Sequence, residues 1–307
     1  MHASLLDTFF GISHTVIAMC VAGIVCFAVA LWTAKSKVTR AGGLDKVSAL
    51  GNLCMAVPLA VFGALHIWGA QLVLPAVPSF MPWRLFWAYF VGVALLAASL
   101  SMATNIMVRW SGLLFGVMML LIVVMLEFPD ALASPGDRFG WTLVIREMAF
   151  ASGGWLLAAS ALRGEFRVKL ILVGRVLIGI TALFFGVEHF LHPLARPGVP
   201  LEKLMPVWIP GRSLIGYLTG ALLVVAGASI LANRKTRIAA TYLGAWIALL
   251  VVLIYGPILF ASLADPGTDA KIEGINYFAD TLLFAGAILA LARATSGAES
   301  APAADGS

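Results

Sequence analysis

Charge is what this chain has least of. Asp, Glu, Lys and Arg make up 11% of its 307 residues, against about 25% in a soluble domain. That shortage excludes an ordinary water-facing surface. The surplus of +5 is scattered over short loops and forms no patch, so nucleic acid is not expected as a partner. Cysteine is scarce as well. Cys20, Cys26 and Cys54 lie in apolar segments, with no CxxC pair and no metal-ligand spacing, so neither a metal site nor thiol redox chemistry by this chain alone is expected. The opening MHASLLDTFFG has no basic stretch ahead of its apolar run, and no secretory signal is expected there.

Apolar residues fill the space that charge leaves. They make up 61% of the chain, with a mean hydropathy of +0.99, which places it in a lipid bilayer as a polytopic membrane protein. Nine segments are apolar for about 20 residues, the length that crosses a hydrocarbon layer: 12–33, 47–70, 85–104, 110–128, 141–162, 168–190, 213–232, 238–262 and 273–293. The polar tail 294–307 is expected to be disordered. Alternate loops and helix ends divide the basic residues unevenly. One set carries Lys35, Lys37, Arg40, Lys46, Arg109, Arg163, Arg167, Lys169, Arg234, Lys235, Arg237 and Arg293; the other carries Arg84, Arg138, Arg196, Lys203, Arg212 and Lys271. The richer set marks the cytoplasm. The expected protein is thus a multi-pass protein of a cell inner membrane, with its N-terminus outside and its C-terminus inside.

The chain also resembles itself. At an offset of 128 residues, Pro82, Arg84, Tyr89, Gly92, Asn105, Arg109, Gly116 and Pro129 meet Pro210, Arg212, Tyr217, Gly220, Asn233, Arg237, Gly244 and Pro257. At an offset of 123, FGALH (62–66) meets FGVEH (185–189). The expected fold is all-α: an N-terminal helix and loop (1–46), then two four-helix-bundle units, 47–162 and 168–293. An even number of crossings makes these parallel repeats about an axis normal to the membrane. Each unit has a histidine, His66 or His189, at the outer end of its first helix, followed by a Pro-rich loop expected to fold over the outer mouth. The histidine-to-proline spacing is five residues longer in the second unit.

The remaining polar residues sit at similar depth. Counting along the helices puts His66, Glu127, Arg146, Glu147, Glu188, His189, His192, Asn276 and Asp280 in the outer half of the membrane, with Tyr217 nearby. A charge at such depth is costly and should face the interior with a partner. Three readings account for this layer. Arg146 forms a structural ion pair with Glu147, Glu127 or Glu188. Alternatively, the layer is a pocket for the polar head of an amphipathic molecule such as a quinone. The third reading, a metal or haem site, has too few local ligands: His189 and His192 can share a helix face, while Glu188 points elsewhere.

FGVEHFLHP and MPVWIPGRSLIGYLTGALLVVAGASIL together resemble the DoxX-like membrane proteins. The matching residues are Phe185, Gly186, His189, Phe190, Pro206, Trp208, Pro210, Tyr217, Thr219 and Gly220. The first unit keeps Phe62, Gly63, His66, Tyr89 and Gly92, but has Leu65 and Val91 where the acid and the threonine fall. The resemblance implies four-helix membrane bundles. It also implies a range of roles: a subunit of a thiosulfate:quinone oxidoreductase, partners of oxidative-stress enzymes, and assembly or trafficking helpers. A quinone- or redox-linked membrane component is the first expectation. A non-catalytic anchor or assembly partner of another protein is the second, and a small-molecule transporter the third.

Overall fold

The computed structural model describes residues 13–296. Nine long helices follow one another, numbered here in chain order: α1 (His14–Arg40), α2 (Gly51–Trp68), α3 (Arg84–Thr104), α4 (Val108–Ile122), α5 (Arg138–Ser160), α6 (Glu165–Leu191), α7 (Arg212–Leu231), α8 (Thr236–Leu250) and α9 (Thr268–Thr295). Among the described residues there is no β-strand, only an isolated bridge between Ala195 and Leu204. Among the described residues, eight helical stretches are long and apolar enough to cross a membrane, α4 and α8 counting with their continuations to Ala133 and Ala264, which makes this a multi-pass membrane protein. The fifth expected span, α5, is a 23-residue helix but falls outside those eight, because Arg146 and Glu147 interrupt its apolar run. Part of the expected disordered tail is helical, since α9 continues to Thr295. Residues 297–307 of that tail and residues 1–12 lie outside the described residues.

Helix α9 is the axis of the molecule. Nearly every residue from Ala279 to Ala294 is buried, and the helix packs on α2, α5 and α8. Small residues allow this. A Cβ at Gly286 would come within 2.8 Å of the Cys54 backbone, and one at Gly153 within 2.9 Å of the Ala287 Cα, so the backbones touch where no side chain intervenes. Within the two expected units, α2 packs on α3, α4 on α5, α6 on α7 and α8 on α9. The rings then close crosswise, α2 against α9 and α6 against α5. Helix α1 lies outside against α2 and α3. It buries a stripe of Val16, Met19, Gly23, Cys26, Ala30 and Ala34, the three-and-four spacing of one helix face.

Several local features recur at the offset of 128. Helices α4 and α8 each widen into a π-helical turn, Val123–Glu127 and Val251–Tyr255. Each turn ends two residues before a proline, Pro129 or Pro257. A proline lacks the N–H and collides with the carbonyl four residues back, and the wider turn accommodates it. The short turns after α3 and α7 place Asn105 and Met107, and Asn233 and Lys235, at positive φ. Arg84 donates to the Val77 carbonyl at 2.9 Å, and Arg212 to the Met205 carbonyl at 3.1 Å. At the short-turn end, Asn52 donates to the Met102 carbonyl at 3.3 Å, while Arg175, at the matching place in α6, donates to Ile230 and Leu231. Arg175 therefore caps the carbonyl end of α7.

The two Pro-rich loops differ. The second (192–211) folds inward and buries residues 195–201, as expected. The first does not: Phe80 is 72% and Trp83 80% exposed. Its spacing is five residues shorter, and it lacks a counterpart to the Pro197–Leu201 segment that plugs the bundle.

Candidate functional site

The loop-rich end of α5 and α9 holds the deepest charges. Arg146 donates through Nη1 to Asp280 Oδ2 at 3.0 Å and through Nη2 to Glu147 Oε1 at 2.6 Å. Its Nε reaches the same Glu147 oxygen at 3.2 Å, and its guanidinium lies 5.8 Å from the Phe150 ring centre. All three charged side chains are 10–15% exposed. One cation thus holds two carboxylates, and the triad carries a net negative charge. Glu127, in the π-turn of α4, is half-buried and makes no ion pair among the described residues.

Arg146 and Asp280 of the triad line a cleft of about 360 Å³ between α5, α9 and the second loop. Its polar wall is Arg146, Asn276, Tyr277 and Asp280; its rim is acidic, with Glu202, Asp269 and Glu273; its other wall is apolar, with Phe139, Leu143, Leu201 and Ile272. The side-chain amide oxygen of Asn276, Oδ1, is buried without a hydrogen-bond partner among the described residues.

The second loop roofs this region. Arg196 stacks on the Tyr277 ring at 4.3 Å, with Nη2 at 3.6 Å from Glu273 Oε1. Its Nε and Nη1 are buried and unpartnered. Lys203 Nζ lies 3.0 Å from Glu273 Oε2, and the Lys203 N–H donates to Tyr277 Oη at 3.3 Å.

The expected layer therefore separates. Arg146, Glu147, Asn276 and Asp280 come together. Glu188 belongs elsewhere: it accepts from Arg138 Nη1 at 3.0 Å, and the same guanidinium donates to the Pro200 and Leu201 carbonyls, fastening the loop to α5. His192 lies 3.9 Å from Glu188 and is half-exposed. His189 is fully buried, and both of its ring nitrogens are engaged. Nδ1 meets the Phe185 carbonyl at 2.6 Å, and Nε2 accepts from the Gly198 N–H at 3.0 Å. This geometry fixes a neutral ring that clamps the loop, with no ring nitrogen left for a ligand. Gly198 sits at φ +103°, a conformation that favours glycine. His66 makes the matching Nδ1 contact to Phe62 at 2.8 Å, on the side where the loop stays out. Tyr217 is 45% exposed and packs on Phe190, away from the cleft.

Sequence reading missed Arg138, Arg196, Glu202 and Glu273. One signal was available: Asp269, Glu273, Asn276, Tyr277 and Asp280 recur every three or four residues along α9 and so share a face. Among the described residues, no three His, Cys, Asp or Glu side chains converge as metal ligands would. No protein-family model, no curated protein and no solved structure matches the chain.

Proposed function

We propose that the cleft between α5 and α9 binds the polar head of an amphipathic small molecule, with a membrane quinone as the class, and that the chain is a quinone- or redox-linked membrane component. The observation that carries this reading is the unpartnered, buried side-chain oxygen Oδ1 of Asn276 in the polar wall of a half-apolar cleft. A buried acceptor left unmade is costly, and a ligand hydroxyl would satisfy it. Arg146 and Tyr277 offer donors to a ring carbonyl, while Asp280 and Asn276 offer acceptors to a hydroxyl. Both redox forms of a quinone head therefore find partners, and the apolar wall of Phe139, Leu143 and Ile272 suits the ring and tail.

The same proposal takes α5 as a ninth crossing, because Arg146 is paired with Glu147 on its own helix and with Asp280 on α9. It takes 47–162 and 168–293 as parallel DoxX-like units, supported by the recurring π-turns, left-handed residues and arginine-to-loop bonds. The basic-loop asymmetry supports an inner-membrane setting with the cleft on the outer side.

A non-catalytic anchor or assembly partner is the second reading. It rests on the exposed apolar tips Phe80, Trp83, Val207 and Trp208 at the loop-rich end. It ranks second because Trp and other aromatics at a membrane boundary account for these tips equally well.

The test is solvent extraction of the purified protein followed by mass spectrometry. Retained quinone is the expected result, reduced in Asn276→Leu and Asp280→Asn and unchanged in Tyr217→Phe. Absence of quinone from folded wild-type protein purified in mild detergent contradicts the reading.

A further inference from the structure

The lipid-facing side of the molecule carries two grooves near the short-turn end, one between α3 and α4 and one between α7 and α8. Their volumes are about 310 Å³ and about 260 Å³. Every residue lining the first has its counterpart, 128 residues on, lining the second. The walls of both are mainly aliphatic and aromatic, with Ser101 and Ser111 in the first and Ser229 in the second.

The grooves differ at the mouth. Met107 lines one and Lys235 the other. These two residues share the same left-handed backbone conformation, with φ of 56° and 51°, so their side chains leave equivalent turns. Beside Lys235 stands Arg234; beside Met107 stands Ile106. All four are exposed. Neither Lys235 nor Arg234 makes an ion pair among the described residues, whereas Arg237 is held by Asp45 at 2.6 Å. By the other mouth, Arg109 lies 5.0 Å from the Trp110 ring centre and Lys37 donates to Asn105 Oδ1 at 2.6 Å, so both cations there are engaged. Tyr242 and Trp246 replace Leu114 and Met118 along the wall, adding flat surface against which a chain can lie.

We propose that the α7–α8 groove is a binding site for an anionic phospholipid. One acyl chain lies in the groove against Tyr242 and Trp246, and the phosphate group sits on Lys235 and Arg234. The argument is charge complementarity. Two cations with no ion-pair partner among the described residues stand at the mouth of an apolar groove, at the end of two membrane-spanning helices, and an anionic head meets them without desolvating a partner. The α3–α4 groove is an internal control: it has the same shape and backbone but no free cation pair, so it takes an acyl chain without preference for the head. This inference is independent of the cleft between α5 and α9.

The experiment is native mass spectrometry of the full chain in detergent, with equimolar phosphatidylglycerol and phosphatidylcholine added. Wild type is expected to retain one phosphatidylglycerol in preference to phosphatidylcholine. Lys235→Met, which copies the other groove, is expected to weaken that preference about fivefold, the weight of one basic side chain at an anionic surface. Lys235→Met with Arg234→Ile should abolish it. Met107→Lys should add a second phosphatidylglycerol. No headgroup preference in wild type, or a preference that survives the double change, overturns the proposal.

Discussion

Arg146 shows how a charge is kept deep in an apolar bundle. Its donors are divided between Glu147 on its own helix and Asp280 on α9, and neither carboxylate has another cation within ion-pair distance among the described residues. Removing the arginine leaves two acids facing each other away from water. Arg146→Met is expected to cost about 3–5 kcal/mol, read as a lower Tm in detergent. Adding Glu147→Gln and Asp280→Asn should recover part of that loss; no recovery would mean that packing over Phe150, not charge, had been removed. His189 makes a different prediction. His189→Ala leaves the Gly198 N–H buried and unmade, at a cost of about 1–3 kcal/mol, while quinone retention stays at the wild-type level, because the ring does not reach the cleft. Loss of retention at unchanged Tm would contradict that assignment. Depth counting put Glu147 and Asp280 at the height of Arg146, but together with Glu127 and Glu188, and could not choose among the four. It could not find the partner of Glu188: Arg138 begins a helix, reads as a loop charge, and reaches its acid only because the loop folds under it.

The helices themselves were the most legible elements. Long apolar runs marked them, and the prolines and short polar turns marked their ends. The π-turns were not legible: Pro129 and Pro257 were visible in sequence, but whether a proline kinks, ends or widens a helix is decided by the tertiary setting. Nor was the crosswise closure of α2 on α9 and α6 on α5 legible, because it depends on which small residues meet. Gly153 is the clearest such point. Its added Cβ would stand 2.7 Å from the Ala287 Cβ, so Gly153→Val should cost about 1–3 kcal/mol, measured by thermal unfolding. An unchanged Tm would show that α5 and α9 can separate freely. The two loops were expected to behave alike and do not, because five extra residues let one of them reach inward while the other stays at the surface.

At the scale of the whole molecule, composition alone dictates a membrane protein, and the proposed orientation rests on twelve basic residues in one set of loops and helix ends against six in the other. With nine crossings, a cysteine at Ser36 should resist an impermeant thiol reagent in intact cells, and one at Ser134 should react. Both positions are exposed, so the reverse pattern would invert the topology. The chemistry of the cleft was partly legible, as a polar layer at one depth. Its rim was not, since Glu202 and Glu273 meet only once the loop is folded. The most direct test of the central claim is photolabelling of the purified protein with a photoreactive quinone, followed by peptide mapping. The account predicts labelling within 268–282 of α9 and 138–147 of α5 that unlabelled quinone competes away and Asn276→Leu weakens. Labelling that is not competed, or that falls on the lipid-facing surface around Tyr217 and leaves α9 untouched, would contradict it.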